Sequence, residues 1–396
     1  MSRTLEVAIA GAGIGGLTAA LALRARGLNV TVFEQAPSFR EIGAGLTLGR
    51  NAVRLLKRIG LADRIKNIGS VNLGLTLFTS RGAPIATSPP SARPPHSGEV
   101  DSYSVHRAEF LNLLVEAQPP GTLHLGCRCV KVDETGEGVR LSLANGASAE
   151  ADLFIGADGI HSLSQREIGV NAQPRSGCTM AYRGVVPAER LPWASDLHSL
   201  KMWIGSGRSV ICYPISRGRL INIVAFVPAD RDAVESWSAP GNLGKLAAEY
   251  AGWDAPVLQM IGALDKAFLW GIYDRAPFPY WSTARRTLLG DAAHPMLPHF
   301  GQGAGQAIED GFALAVLLEN IGPAQIPERL KAYERLRLAH TSRVQAASRE
   351  AGRFFHSKDG NTSQREQQLA SWRSAGRWIF EYDVEKAATE LLSEVA

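Results

Sequence analysis

Three short stretches of this 396-residue chain carry residues with a chemical reason to stand together. The longest, Gly290 to Gly311, reads GDAAHPMLPHFGQGAGQAIEDG. Its glycines at 301, 303 and 305 let backbone N–H groups approach a ligand where an apolar-periodic helix begins (Ala307, Ile308, Phe312, Ala313, Val316, Leu317). A helix start offers unpaired donors and the positive end of its dipole, so such a loop suits an anion. Asp291 follows a short apolar segment, Thr287 to Leu289, at the strand end where ligands of open α/β sheets lie. His299 stands between Pro298 and Phe300 at the mouth of the loop, and a histidine there is suited to accept a proton near neutral pH.

The second stretch is Gly11-Ala12-Gly13-Ile14-Gly15-Gly16, directly after the apolar run Leu5 to Ala10 and before a helical segment, Leu17 to Arg26, ended by Gly27. In that context Gly11 permits the tight turn, Gly13 lets a pyrophosphate reach the backbone, and Gly16 lets the helix pack on the strand. A second strand, Asn29 to Phe33, ends in Glu34, eighteen positions after Gly16, where a carboxylate can hold both ribose hydroxyls. Together these residues point to an adenine dinucleotide. The third stretch, Gly156-Ala157-Asp158-Gly159-Ile160-His161-Ser162, follows the strand Leu153 to Gly156, so Asp158 is expected to face the same dinucleotide from the other side. Arg107 lies at a strand–helix junction, within reach of a phosphate or ribityl oxygen.

The elements that must position these groups are legible in outline. Period-two alternation between Gly121 and Asp152 predicts a small antiparallel meander, and the segments Met202 to Gly205, Ser209 to Pro214 and Leu220 to Pro228 predict a second antiparallel layer. Met202, Tyr213 and Phe226 on those strands, with Pro298 and His299, are candidates to line a substrate pocket. Glu328 to Ser348 reads as an arginine-rich helix and Trp372 to Asp383 as the last helix, packed on the body. The Pro/Ser-rich piece Ser88 to Ser97 reads as a loop. The expected division is 1–175 and 285–350 as two parts of a dinucleotide-binding domain, 176–284 as a substrate domain that 73–100 joins, and 351–396 as a helical tail.

The bulk numbers narrow the class of function. A net charge of +4 from 42 basic and 38 acidic residues, without long like-charge blocks, argues against nucleic acid as a partner. The four cysteines lack zinc-site spacing, so they are expected to be reduced packing residues, with no metal. Val7 to Ala10 is too short to span a bilayer and runs into a glycine turn, so neither a membrane anchor nor a signal peptide is expected and the cytoplasm is the expected location.

In order and separation, GAGIGG with Glu34, ADLFIGADGIHS and GDAAHPMLPHFGQGAGQ resemble the three fingerprints of the single-component FAD-dependent aromatic hydroxylases, over roughly residues 5 to 350. The resemblance implies an α/β fold: a Rossmann-type FAD-binding domain with an inserted antiparallel substrate domain, and NADH or NADPH docking transiently. It implies cofactor contacts from Gly11, Gly13, Gly15, Gly16, Glu34, Gly45, Arg107, Val130, Asp158, Asp291, Gly301, Gly303 and Ala304, with the loop from Gly301 at the flavin pyrimidine ring. His299 is the implied catalytic contact to a phenol. The implied reaction passes an oxygen atom from O2 through a flavin C4a-hydroperoxide to a small phenolic aromatic acid. MLPH before GQGAGQ, AYRG around Arg183 and the strand INIVAF are similar to the salicylate hydroxylase branch, which implies an ortho-hydroxylating or a decarboxylating hydroxylase of a salicylate-like acid, the latter giving a catechol. Alternatives are 3-hydroxybenzoate, a hydroxypyridine carboxylate, another phenol or nitrogen heterocycle, or a flavin-binding sensor without turnover. Monomer and homodimer are both compatible.

Overall fold

The computed structural model describes residues 3–39, 44–88, 102–170, 173–194, 197–205, 207–229, 239–356 and 362–395. Five parallel strands form one sheet in the spatial order Arg286–Leu288, Leu153–Gly156, Glu6–Ala10, Asn29–Phe33, Leu123–His124. Leu153–Gly156 is buried throughout and Glu6–Ala10 from its second residue on, as parallel strands covered on both faces must be; hence their unbroken apolar runs. Side chains alternate between the faces. Val7, Ile9, Val32 and Ile155 pack towards the helices, whereas Ala8, Ala10, Phe33 and Phe154 meet the antiparallel meander Cys129–Glu134, Val139–Leu143, Ser148–Ala151.

Helix Gly303–Leu317 is buried on nearly every side, its polar residues Gln306, Glu309 and Asp310 included. It lies against helix Ile14–Ala25 so closely that a Cβ on Gly311 would come 2.7 Å from the Ala19 Cα.

The large sheet has eight strands in the order Ala239–Pro240, Phe268–Asp274, Arg175–Pro187, Leu220–Pro228, Arg208–Ile215, Leu200–Gly205, Leu75–Thr79, Pro84–Ser88. All pairs are antiparallel except Leu200–Gly205 with Leu75–Thr79. One face packs Tyr182, Val210, Ile223 and Ala225 on helices Leu243–Glu249 and Ala255–Gly262. The other presents Arg183, Ile211, Tyr213, Val224 and Phe226 to a cavity. The α/β architecture read from the motifs is therefore the observed one. A three-stranded sheet, Gly45–Leu48, Tyr103–His106, Ser70–Val71, lies beside it.

Two expectations need correcting. Trp372 to Asp383 is not the last helix: Thr362–Glu381 ends there and Val384–Val395 follows, because the Asp383 carboxylate accepts the Lys386 N–H at 3.1 Å and caps a new helix. Cys178 is not a packing residue; it is exposed, at a left-handed backbone position (φ 56°) where the long strand Arg175–Pro187 is irregular. Gly43, Asp101, Ser206 and most of the Pro/Ser-rich stretch lie outside the described residues. Among the described residues no helix is long and apolar enough to cross a membrane.

Candidate active site

The first glycine turn is shaped by two different needs. Gly11 has φ 104°, and a Cβ on it would strike the Ala157 carbonyl, while one on Gly16 would strike the Gly11 carbonyl; both glycines let the strand and helix touch. Gly15 is similarly confined, with Leu289 Cδ1 2.8 Å from where a Cβ would be. Gly13 is different: nothing lies within 4 Å of a Cβ built there. It caps helix Ile14–Ala25 and faces the cavity, which leaves room for a phosphate at the helix start. Glu34 accepts the Ala12 N–H at 2.7 Å and the Ala36 N–H at 2.8 Å, which fixes its carboxylate beside the same turn.

On the opposite side, Gly290–Ala292 forms a short 3-10 turn carrying Asp291 into the cavity. Burial pushes the Asp291 carboxyl above its ordinary range, and His294 and Arg107 oppose that shift. Arg107, enclosed at the start of helix Arg107–Glu116, is lowered by desolvation and supported by Asp291. Gly301 closes the turn Pro298–Phe300 at φ 62°, with Thr47 Oγ1 2.5 Å from where a Cβ would be. Gly303 and Ala304 then open helix Gly303–Leu317 onto the cavity, and Gly45 lines it across from them.

Besides Gly11, Gly16 and Glu34, which stay at the first turn without lining the cavity, two further expected cofactor residues sit outside it. The Asp158 carboxylate is turned into its own loop, accepting from the Ser162 hydroxyl and from the Ser164 N–H and hydroxyl, both at 3.0 Å. Ala157, Gly159 and Ile160 line the cavity beside it. Val130 is 42% exposed on the meander and does not line the cavity. Neither difference was visible in the sequence, because an Asp-Gly turn and an alternating strand look the same whichever way they face.

The cavity measures about 1010 Å³ and continues from these loops across the large sheet. Met202, Tyr213, Phe226, Pro298 and His299 all line it. Burial pushes the Tyr213 hydroxyl up to about 12. The His299 ring is wedged between Phe226 (5.6 Å), Phe355 (6.2 Å) and His356 (5.0 Å), and it fits only because residue 352 is glycine. Burial and the neighbouring His356 lower His299 to about 3, so it does not titrate near neutrality as a histidine at a loop mouth would. It is a neutral hydrogen-bonding group, and its Nδ1 has no partner among the described residues. His356, lowered to about 4 by burial, contacts Ser209 Oγ at 3.1 Å.

Several lining groups were not read as pocket residues from the sequence, Arg183 among them, although AYRG around it carries part of the resemblance. Arg183 lies over the Trp270 ring (5.3 Å) and donates to the Gly45 carbonyl at 3.4 Å, and no carboxylate pairs with it among the described residues. Desolvation lowers its guanidinium, the mark of a cation enclosed without a counter-charge. Trp372, Arg373, Arg377 and Phe380 reach the rim from helix Thr362–Glu381. Their spacing places them on one helical face, a signal that marks a face without saying what it covers.

The family described as FAD binding domain matches residues 4–348 of this sequence. A salicylate hydroxylase from Pseudomonas putida is 32% identical over 412 residues, covering 98% of this chain and 94% of the relative. The chain belongs to the FAD-dependent aromatic hydroxylase family. This hydroxylase is 39% identical over 360 residues to a 3-amino-4-hydroxybenzoate 2-monooxygenase from Streptomyces platensis, covering 90% and 89% of the two chains. It is 35% identical to a 6-hydroxynicotinate 3-monooxygenase from Bordetella bronchiseptica, covering 87% and 90%. Among solved structures, a salicylate hydroxylase substrate complex superposes with a TM-score of 0.85 at 30% identity, covering 98% of each chain. FAD is the hydroxylase's cofactor, as the FAD binding domain match over residues 4–348 shows. The open space at Gly13, Arg107 and Asp291 facing the cavity, and a volume of about 1010 Å³ all fit a flavin dinucleotide.

Proposed function

We propose that this enzyme uses NADH or NADPH and O2 to hydroxylate a small aromatic acid bearing a ring hydroxyl. Arg183 carries the reading: a half-buried, desolvated guanidinium with no carboxylate partner among the described residues, beside Phe226, Trp270, Met202 and Val224 of the same lining, is matched by a flat apolar ligand with one carboxylate. Reduced FAD supplies the activation of O2 and the oxygen atom transferred to the ring. The chain's residues do the rest. Arg107, Asp291 and the turns at Gly13 and Gly303 hold the cofactor, and Glu34 its ribose. Arg183 anchors the acid, while the neutral His299 accepts a hydrogen bond from the ring hydroxyl. The aromatic walls fix the ring and exclude water.

Within this class the loop motifs favour a salicylate-like acid, with decarboxylation to a catechol. A second reading, a 3-amino-4-hydroxybenzoate-like acid, is favoured by the 39% identity to an enzyme of that name. The test is NADH and NADPH oxidation by the FAD-loaded protein with salicylate, 3-amino-4-hydroxybenzoate, 6-hydroxynicotinate and unsubstituted phenol, with product and peroxide both quantified. Stimulation by one acid with stoichiometric hydroxylated product is expected. Equal stimulation by phenol, or peroxide without product from every acid, removes the aromatic-acid reading.

A further inference from the structure

Behind the loop that opens helix Gly303–Leu317 lies a fully buried polar cluster that touches neither the cavity nor solvent. Arg337, on helix Ile326–Phe355, uses its whole fork: Nε donates to Asp310 Oδ1 (2.7 Å), Nη1 to Glu309 Oε2 (2.8 Å) and Nη2 to Gln306 Oε1 (2.8 Å). All three charged residues are 0% exposed. The two carboxylates reach on to the backbone of the site. Asp310 Oδ2 accepts the N–H of Gly290 (2.8 Å), the residue before Asp291, and meets His294 Nε2 (2.6 Å). Glu309 Oε1 accepts from Asn51 Nδ2 (2.6 Å), which also donates to Gln302 Oε1 (3.0 Å), in the residue between Gly301 and Gly303.

Two acidic residues this near a helix start oppose what the start offers a ligand. The amino end of a helix is worth roughly half a positive charge. An uncompensated buried carboxylate in the same helix carries a full negative one, weakly screened in a dry interior. Asp310 is held down at about 2 by His294 and Arg337 against its burial, so its charge is present at every ordinary pH. We propose that Arg337 is a positioning residue for the flavin site, whose single positive charge offsets that of Asp310 beside the buried Glu309, so that the amino end of helix Gly303–Leu317 is more electropositive towards the reduced cofactor than the two carboxylates alone would leave it. A cluster that merely ties helices together would have the same contacts. It would not have the same electrostatic sign.

Arg337→Met and Asp310→Asn separate the two, because the first removes the donor of the 2.7 Å contact and the second turns its charged acceptor into a neutral amide, so they change the local charge in opposite directions. The measurements are the midpoint potential of bound FAD, FAD affinity by flavin fluorescence, and apoprotein stability, all without substrate. Arg337→Met should weaken binding of reduced relative to oxidised FAD about tenfold, lowering the potential by about 30 mV. Asp310→Asn should raise it. Arg337→Lys, which keeps the charge and loses the fork, should lose stability while leaving the potential unmoved. Shifts of the same sign in the first two variants, or none in either, would overturn the proposal. Should Arg337→Met fail to fold, a potential that does not rise in Asp310→Asn, or that falls in Arg337→Lys, overturns it equally. The inference rests on the proposed placement of the flavin pyrimidine edge at Gly303 and Ala304, not on the substrate reading. Wild-type protein that failed to bind FAD would sink that placement, whereas variants shifting together would sink only the role given to Arg337.

Discussion

The two sides of the cavity treat charge in opposite ways. On the cofactor side, among the described residues, the charged groups have internal counter-charges: Arg107 with Asp291, and Arg337 with Glu309 and Asp310. On the large-sheet side, burial keeps His299 and His356 neutral and Arg183 has no carboxylate among the described residues. The physical reason is residence. A cofactor that stays bound can be met by a prepaired scaffold, whereas a substrate that comes and goes must bring the missing charge itself, and the cost of leaving Arg183 alone is recovered only when it arrives.

The hardest test of that contrast is Arg183→Met. Truncating one partner of a buried charge pair costs about 2–5 kcal/mol, so kcat/KM for an aromatic acid should fall by at least about 30-fold while FAD affinity holds. Equal losses for the acid and for a phenol lacking the carboxylate would place the substrate's charge elsewhere. A smaller effect divides the glycine turn itself. Gly16→Ala should destabilise the protein by about 1–3 kcal/mol through overpacking, seen as a lower denaturation midpoint with or without FAD. Gly13→Ala should leave the apoprotein's midpoint alone and weaken only FAD binding, since open space surrounds it.

The histidines supply a pH test. Burial lowers His299 to about 3 from an ordinary 6.5, so the unfolded chain binds a proton the folded ring refuses. Its stabilising contribution is then complete above about pH 6.5 and is lost as pH falls towards 3. Denaturant melts should therefore show a shallower loss on acidification in His299→Asn than in the wild type. Identical slopes would mean that the ring is not held neutral. The smallest effect belongs to the scaffold behind the sheet, where the Tyr250 hydroxyl reaches the carbonyls of Ser209 and Phe226, both at 2.7 Å. Tyr250→Phe should cost about 1 kcal/mol of stability and leave substrate selectivity intact; a change in selectivity would show that the wall carrying Phe226 is set from behind.

How far the chain could be read without coordinates depended on how local each physical requirement is. A glycine turn between strand and helix is dictated by a few adjacent residues, so GAGIGG with Glu34 and the loop from Gly290 to Gln306 were legible. The direction of a side chain in such a turn is not, and Asp158 shows it by binding its own serines. The pocket strands were legible as strands, but not the order that sets Leu75–Thr79 beside Leu200–Gly205, since that pairing joins residues more than a hundred positions apart.

The sequence by itself determined the parallel sheet, its dinucleotide turns and the family, because apolar runs and glycine spacing act over one turn of chain. Only the tertiary structure decided that Arg183 stands over Trp270 with no carboxylate among the described residues, that burial beside His356 keeps His299 from protonating near neutrality, and that Arg337 pairs with Asp310 and Glu309 in helix Gly303–Leu317. Desolvation and charge pairing depend on which distant segments exclude water from a group, and no local spacing encodes that.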